Sequence, residues 1–134
     1  MDFPNIKPKT KDELLSYIEI LTETVSKEEA EEKLPTSLMQ ELTRTMVEKQ
    51  QSFDQASSNI KTYLNAMKGI KIYLSEEPSQ RLVKKILTLF SDIHPHRYIE
   101  FIIDSSVIAG VKVSIDGSYY DESIDALIDK KLVH

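Results

Sequence analysis

An α+β fold is the class this sequence predicts, and two features predict it. Three glycines and five prolines in 134 residues leave long stretches free for helix. Near Gly69 the apolar pattern then changes from a helical repeat to strict alternation. The expected organisation is an N-terminal helical region over residues 1–69, including one long helix. A small mixed β-sheet domain of element order β-α-β-β-β-α follows over residues 70–134.

Residues 1–9, with prolines at 4 and 8, read as an extended lead-in. Thr10 to Glu13 has the form of a capping box, in which the threonine hydroxyl and the glutamate three residues on each satisfy an orphan N–H of the other. The helix that follows sets Leu14, Ile18, Leu21 and Val25 on one face, with Leu15 beside them. Ser26 to Glu29 repeats the box, so a short acidic helix begins there and Pro35 ends it. From Ser37 to Lys68 there is neither proline nor glycine, and Gly69 stands where a residue terminating a helix belongs. One helix over about 37–68 is therefore expected, about 48 Å long at 1.5 Å per residue.

Within that span Met39, Met46, Phe53, Ile60 and Met67 fall at position a of a heptad, and Leu42, Lys49, Ala56 and Tyr63 at d. Eight of these nine are apolar, with Lys49 the exception. This is a seam sustained over about four repeats, the length at which a coiled coil enters consideration. Its mixture of Met, Phe and Tyr suits unlike helices better than a symmetric zipper. Met39, Leu42, Met46, Phe53, Ile60, Tyr63 and Met67 are thus candidate contacts for a partner helix. The same spacing also fits a helix folding back on helix 10–25 within its own bundle.

Beyond Gly69, Ile70, Ile72 and Leu74 alternate with Lys71 and Tyr73 in a short strand. Ser75 is placed to cap a helix whose first turn holds Glu76, Glu77 and Pro78. Its apolar stripe is Leu82, Val83, Ile86, Leu87, Phe90 and Ile93. Tyr98–Asp104 is a second strand, and the helical crossover makes it a parallel, right-handed neighbour of the first. Val107–Ile115 is a third, with Val107, Ala109, Val111, Val113 and Ile115 on one face. Asp116-Gly117 is a strong hairpin signal, so Ser118–Tyr120 returns as a fourth strand. Asp121 then caps a last helix bearing Ile124, Leu127, Ile128 and Leu132.

Composition narrows the chemistry. With no cysteine there is neither a disulfide framework nor a thiolate metal site. A net charge of −5 gives no general attraction to phosphate backbones, and the scattered lysines form no basic stripe, so no nucleic-acid partner is expected. No apolar run reaches the ~18–20 residues of a membrane span, and no secretory leader is visible, so direct membrane insertion is not expected. Asp92, His94 and His96 carry metal-ligating atoms, but zinc wants at least three fixed protein ligands and a solvated loop accounts for these residues. Gly110 and Gly117 are isolated, so neither a phosphate-cradling loop nor a dinucleotide fingerprint is present. No cofactor, metal or catalytic residue is expected; the chain reads as a binding or scaffold part.

The second half also carries a composite pattern: the strand entry IKIYLSEEPS at 70–79, then Asp104-Ser105-Ser106-Val107-Ile108-Ala109-Gly110-Val111-Lys112-Val113, then Tyr120-Asp121-Glu122-Ser123-Ile124 and Leu127. In spacing, residue types and element order it resembles the C-terminal region of the delta subunit of F-type ATP synthases, called the oligomycin-sensitivity-conferring protein in mitochondria. Gly110, Asp121, Ser123 and Leu127 are the positions that match the family motif. A glycine inside a strand permits a bulge or close backbone approach, and Asp121 and Ser123 suit the N-terminus of the last helix.

The resemblance implies a non-catalytic peripheral-stalk subunit, a stator part of a proton-translocating ATP synthase. It would lie on the cytoplasmic side of the membrane and link the alpha subunits of the catalytic head to the b-type stalk subunits. The family's N-terminal bundle has six helices, whereas residues 1–69 have room for about three. A long helix followed by a small mixed domain is also similar to the E subunit of V/A-type ATPase stalks. An unrelated coiled-coil adaptor is the third reading.

Overall fold

The computed structural model describes residues 3–7, 10–107 and 111–122. It is an α+β protein with five helices and one four-stranded mixed sheet among those residues. The chain divides into two compact units, Met1–Met67 and Lys68–His134.

The first unit is helical. Helix α1 spans Lys11–Glu23, and its N-cap Thr10 accepts a hydrogen bond from the Glu13 amide at 3.1 Å. Helix α2 spans Lys27–Lys33 and is capped in the same way by Ser26. Leu14 and Leu21 are buried, but Leu15 is exposed, and Val25 lies beyond the C-cap Thr24 with its side chain in solvent. The lead-in takes part in the core: Phe3 and Ile6 are fully buried, and the Phe3 ring meets Tyr63 edge-on at 5.2 Å.

The single helix expected over 37–68 is instead two helices, α3 (Thr36–Glu48) and α4 (Phe53–Asn65). The interruption is built from ordinary local chemistry. Gln50 takes a left-handed φ of 52°, and the Gln51 amide donates back to the Met46 carbonyl at 3.1 Å, the closing bond of a Schellman motif. Ser52 and Gln55 then exchange reciprocal bonds at 3.1 and 3.2 Å, a capping box that starts α4. The heptad seam therefore crosses a helix boundary. Helix α4 packs against both α1 and α3, and the Ser57 hydroxyl donates to the Leu21 carbonyl at 3.4 Å. Leu38 and Leu42 of α3 and Ala56, Ile60 and Leu64 of α4 are buried in this unit.

Among the described residues, one buried side-chain polar atom lacks a partner. Thr24 Oγ1 is buried without a hydrogen bond. Thr24→Val keeps the shape and removes the unsatisfied hydroxyl, so it is expected to raise stability by about 1 kcal/mol, measured by urea unfolding.

The second unit begins with β1 (Gly69–Leu74), followed by α5 (Gln80–Ile93), β2 (Tyr98–Ile103), β3 (Val111–Ile115) and β4 (Ser118–Glu122). The strand order is β2-β1-β3-β4. β1 and β2 are parallel with Ile72 beside Phe101; β3 runs antiparallel to β1 with Val113 beside Ile72. A two-residue Asp116-Gly117 turn, both residues at positive φ, joins β3 to β4 as a tight hairpin. Ile70, Ile72 and Leu74, with Ile99, Val111 and Val113, form one apolar core with Ile86, Leu89 and Phe90 of α5.

Three boundaries differ from the sequence reading. The cap of α5 is Ser79, not Ser75: its hydroxyl accepts from the Leu82 amide at 3.2 Å, and Glu76, Glu77 and Pro78 precede the helix. Pro78 disfavours helical backbone at Glu77, which delays the start. Val107 stands outside β3, because Asp104 to Val107 form a turn in which the Ser106 amide and hydroxyl both donate to the Asp104 carboxylate; residues 108–110 lie outside the described residues, and β3 is described as Val111–Ile115. β4 runs on through Asp121, which pairs with Lys112 in the ladder instead of capping a helix. The last helix expected after it lies outside the described residues.

Candidate functional site

The residues singled out from the sequence fall into two groups. In the seam, Leu42 and Ile60 are fully buried, which makes them core of their own unit and unavailable to a partner in this fold, while Met39 is nearly buried. Ala56, the remaining small member of the seam, is buried with them. Met46, Phe53, Tyr63 and Met67 are half-buried. The structure thus splits the seam into residues that hold the bundle and residues that keep some accessible surface. Of the family-motif positions, Asp121 is in β4, while Gly110, Ser123 and Leu127 lie outside the described residues.

A surface that the heptad count missed runs along the outside of α3. Thr36, Gln40, Thr43 and Val47 recur at three- and four-residue spacing and line a shallow groove of about 460 Å³, with Met39 beneath and Arg44 and Glu48 toward its end. Val47 is 71% exposed, an aliphatic residue set in solvent on an otherwise polar stripe. The signal was present in the sequence as one valine out of phase with the buried face.

The Arg44 end is fixed by charge. Glu41 is buried, yet its carboxylate accepts from Arg44 Nη2 and from the Asn5 side-chain amide, each at 2.6 Å. Arg44 Nη1 reaches Glu48 at 3.3 Å. The hydrogen bond to Glu41 pushes the guanidinium pKa up despite partial desolvation, so this cation stays charged. The same carboxylate ties the N-terminal lead-in to α3 through Asn5. Chemically the groove offers an aliphatic contact and amide or hydroxyl donors beside an ion cluster of two carboxylates and one guanidinium, which suits recognition of a helix or loop surface.

In the sheet unit, Arg97 makes a two-pronged ion pair with Asp116 at 2.8 and 3.1 Å, clamping the approach to β2 onto the hairpin turn. Hydrogen bonding to Arg97 holds the Asp116 carboxyl below its ordinary 3.8, with Lys68 and His94 adding smaller pulls. Asp104 is lowered by the Ser106 hydroxyl and amide. A carboxylate with a depressed folded-state pKa stabilises the fold above its unfolded value and loses that contribution as pH falls through the folded value. Arg97→Ala is therefore expected to weaken the sheet unit at neutral pH and to flatten the acid limb of its stability profile as pH falls through and below the ordinary carboxylate range, measured by circular dichroism.

On the other face of the sheet from α5, Tyr73 and Tyr119 approach to 6.4 Å, and Lys112 Nζ lies 4.8 Å from the centre of the Tyr119 ring. His94 stacks on Phe90 at the end of α5, while Asp92 and His96 are exposed. Among the described residues no three His, Cys, Asp or Glu side chains come together to hold a metal ion, and no helix is long and apolar enough to cross a membrane. The Tyr17 hydroxyl is pushed above its usual range by burial and by its bond to Glu13, a local pairing one turn apart on α1.

The described residues define an α+β protein with a four-helix unit, a mixed-sheet unit and an accessible, partly apolar groove on α3. No family model matches the chain, and neither the curated proteins nor the solved structures compared with it give a match.

Proposed function

We propose that this chain is a non-catalytic stator subunit of a proton-translocating F-type ATP synthase, joining the alpha subunits of the catalytic head to the b-type stalk subunits from the cytoplasmic side. The observation that carries the reading is the residue pattern from Ile70 to Leu127, which resembles the C-terminal region of the delta subunit. The described part of that stretch, residues 70–107 and 111–122, forms a strand–helix–strand–hairpin series within one compact unit. A stator needs stiffness: torque on the head is opposed by packed elements and ion-paired corners, not by a reacting group. The buried row of β1 against α5 and the Arg97–Asp116 clamp supply that stiffness here.

The helical unit offers the α3 groove as its contact with a partner helix, in place of the continuous seam. The alternative readings, an E-like stalk subunit and a coiled-coil adaptor, drew on an uninterrupted helix over 37–68. The break at Gln50 withdraws that support.

The test is direct binding. Purified full chain is titrated with the cytoplasmic portion of a b subunit from the same organism, and separately with its alpha subunit, by calorimetry. Saturable binding to both is expected, with Val47→Asp weakening one of the two interactions. Absence of binding to either ends the proposal.

A further inference from the structure

The strand order leaves β2 at a margin of the sheet, hydrogen-bonded to β1 alone among the described residues. Edge strands that stay single are protected by lysine, proline, bulges or extreme shortness. β2, Tyr98-Ile99-Glu100-Phe101-Ile102-Ile103, has no lysine or proline, keeps an unbroken register with β1 and carries one charge. Ile103 is 52% exposed, and Phe101 and Ile102 are half-buried. Ile99, Phe101 and Ile103 alternate toward the α5 side, with Tyr98, Glu100 and Ile102 toward the other.

We propose that β2 pairs with β2 of a second copy of this chain, antiparallel and centred on Phe101, so that two four-stranded sheets become one. Symmetry and charge select this arrangement. A two-fold axis normal to the sheet sets two identical edges antiparallel, and opposed residues then share a face. Centring on Glu100 would oppose two carboxylates, and centring on Ile102 would set Glu100 against Asp104; both are repulsive. Centring on Ile99 or Ile103 leaves most of the strand unpaired. With Phe101 at the axis, Ile99 meets Ile103, Glu100 meets Ile102 and Tyr98 meets Asp104, so no like charges face each other. The apolar row of one copy continues into the other, and both exposed Ile103 side chains gain an aliphatic neighbour.

This inference does not rest on the stator reading, and its test is separate from stalk binding. Light scattering on the full chain across a concentration series is expected to show the mass rising from 15.4 kDa to twice that value. Ile103→Lys should move the midpoint at least about tenfold higher in concentration with an unchanged circular dichroism spectrum. Because the chain has no cysteine, single-cysteine variants report the register. Opposed strand residues sit about 5 Å apart, within disulfide reach. Phe101→Cys should cross-link to itself on mild oxidation, while Glu100→Cys and Ile102→Cys should not. Should Phe101→Cys fail to fold, a mixture of Ile99→Cys and Ile103→Cys chains should give the mixed disulfide. A chain that stays monomeric throughout, a dimer indifferent to Ile103→Lys, or cross-linking through position 100 or 102 overturns the proposal.

Discussion

Ile60→Ala is expected to lower the stability of the helical unit by about 3–4 kcal/mol. Ile60 is fully buried on α4, the helix that packs against both α1 and α3. Truncation removes its transfer free energy and leaves a space that helices held from two sides cannot readily close. The measurement is a urea midpoint with unchanged slope, which separates lost stability from altered compactness. The result also decides what the heptad pattern means. Were Ile60 a partner contact, its removal would leave the free chain within about 0.5 kcal/mol of the parent, as expected for an exposed position. Val47→Asp, at an accessible site on α3, is the matched control: it should leave urea stability within that margin.

Ile72→Ala is expected to cost the sheet unit about 3–4 kcal/mol, the middle of the range for such truncations. Ile72 sits in the central strand, with Phe101 beside it on β2 and Val113 beside it on β3. Ladder hydrogen bonds on both sides hold β1 in place, so the backbone cannot move in to fill the gap. Amide exchange should accelerate most along residues 69–74, 98–103 and 111–115, the strands whose packing Ile72 shares. A cost below about 1 kcal/mol would mean that β1 is not packed between its neighbours as described.

Much of the local architecture was legible because it is written in short-range chemistry. The Thr10 and Ser26 caps, the alternation of Ile70, Ile72 and Leu74, and the Asp116-Gly117 turn each depend on neighbours a few residues away. The α3–α4 break was hidden for a particular reason. Its left-handed residue is glutamine where glycine is the usual marker, so the stop went unseen. Ser52-Phe53-Asp54-Gln55 nonetheless has the capping-box form already visible at Thr10 and Ser26, and giving it equal weight would have placed the boundary. The heptad count ran on across the break because each helix buries its own face in similar phase. Ser75 and Ser79 are rival caps that residue type alone does not separate; Pro78 between them decides. The α3 groove was less legible than the core, because a site on a helix exterior is defined by which residues the fold leaves uncovered.

The central place of β1 also sets an order of events during synthesis. β1 leaves the ribosome ahead of both strands that will flank it, with the whole of α5 separating it from β2 and the hairpin later still. One side of its ladder is filled by β2, but the other stays open until β3 has left the ribosome, while the helical unit, made earlier, is free to assemble first. Pauses that hold β3 inside the ribosome should accordingly expose the nascent chain to aggregation, and pauses placed after β3 has emerged should not.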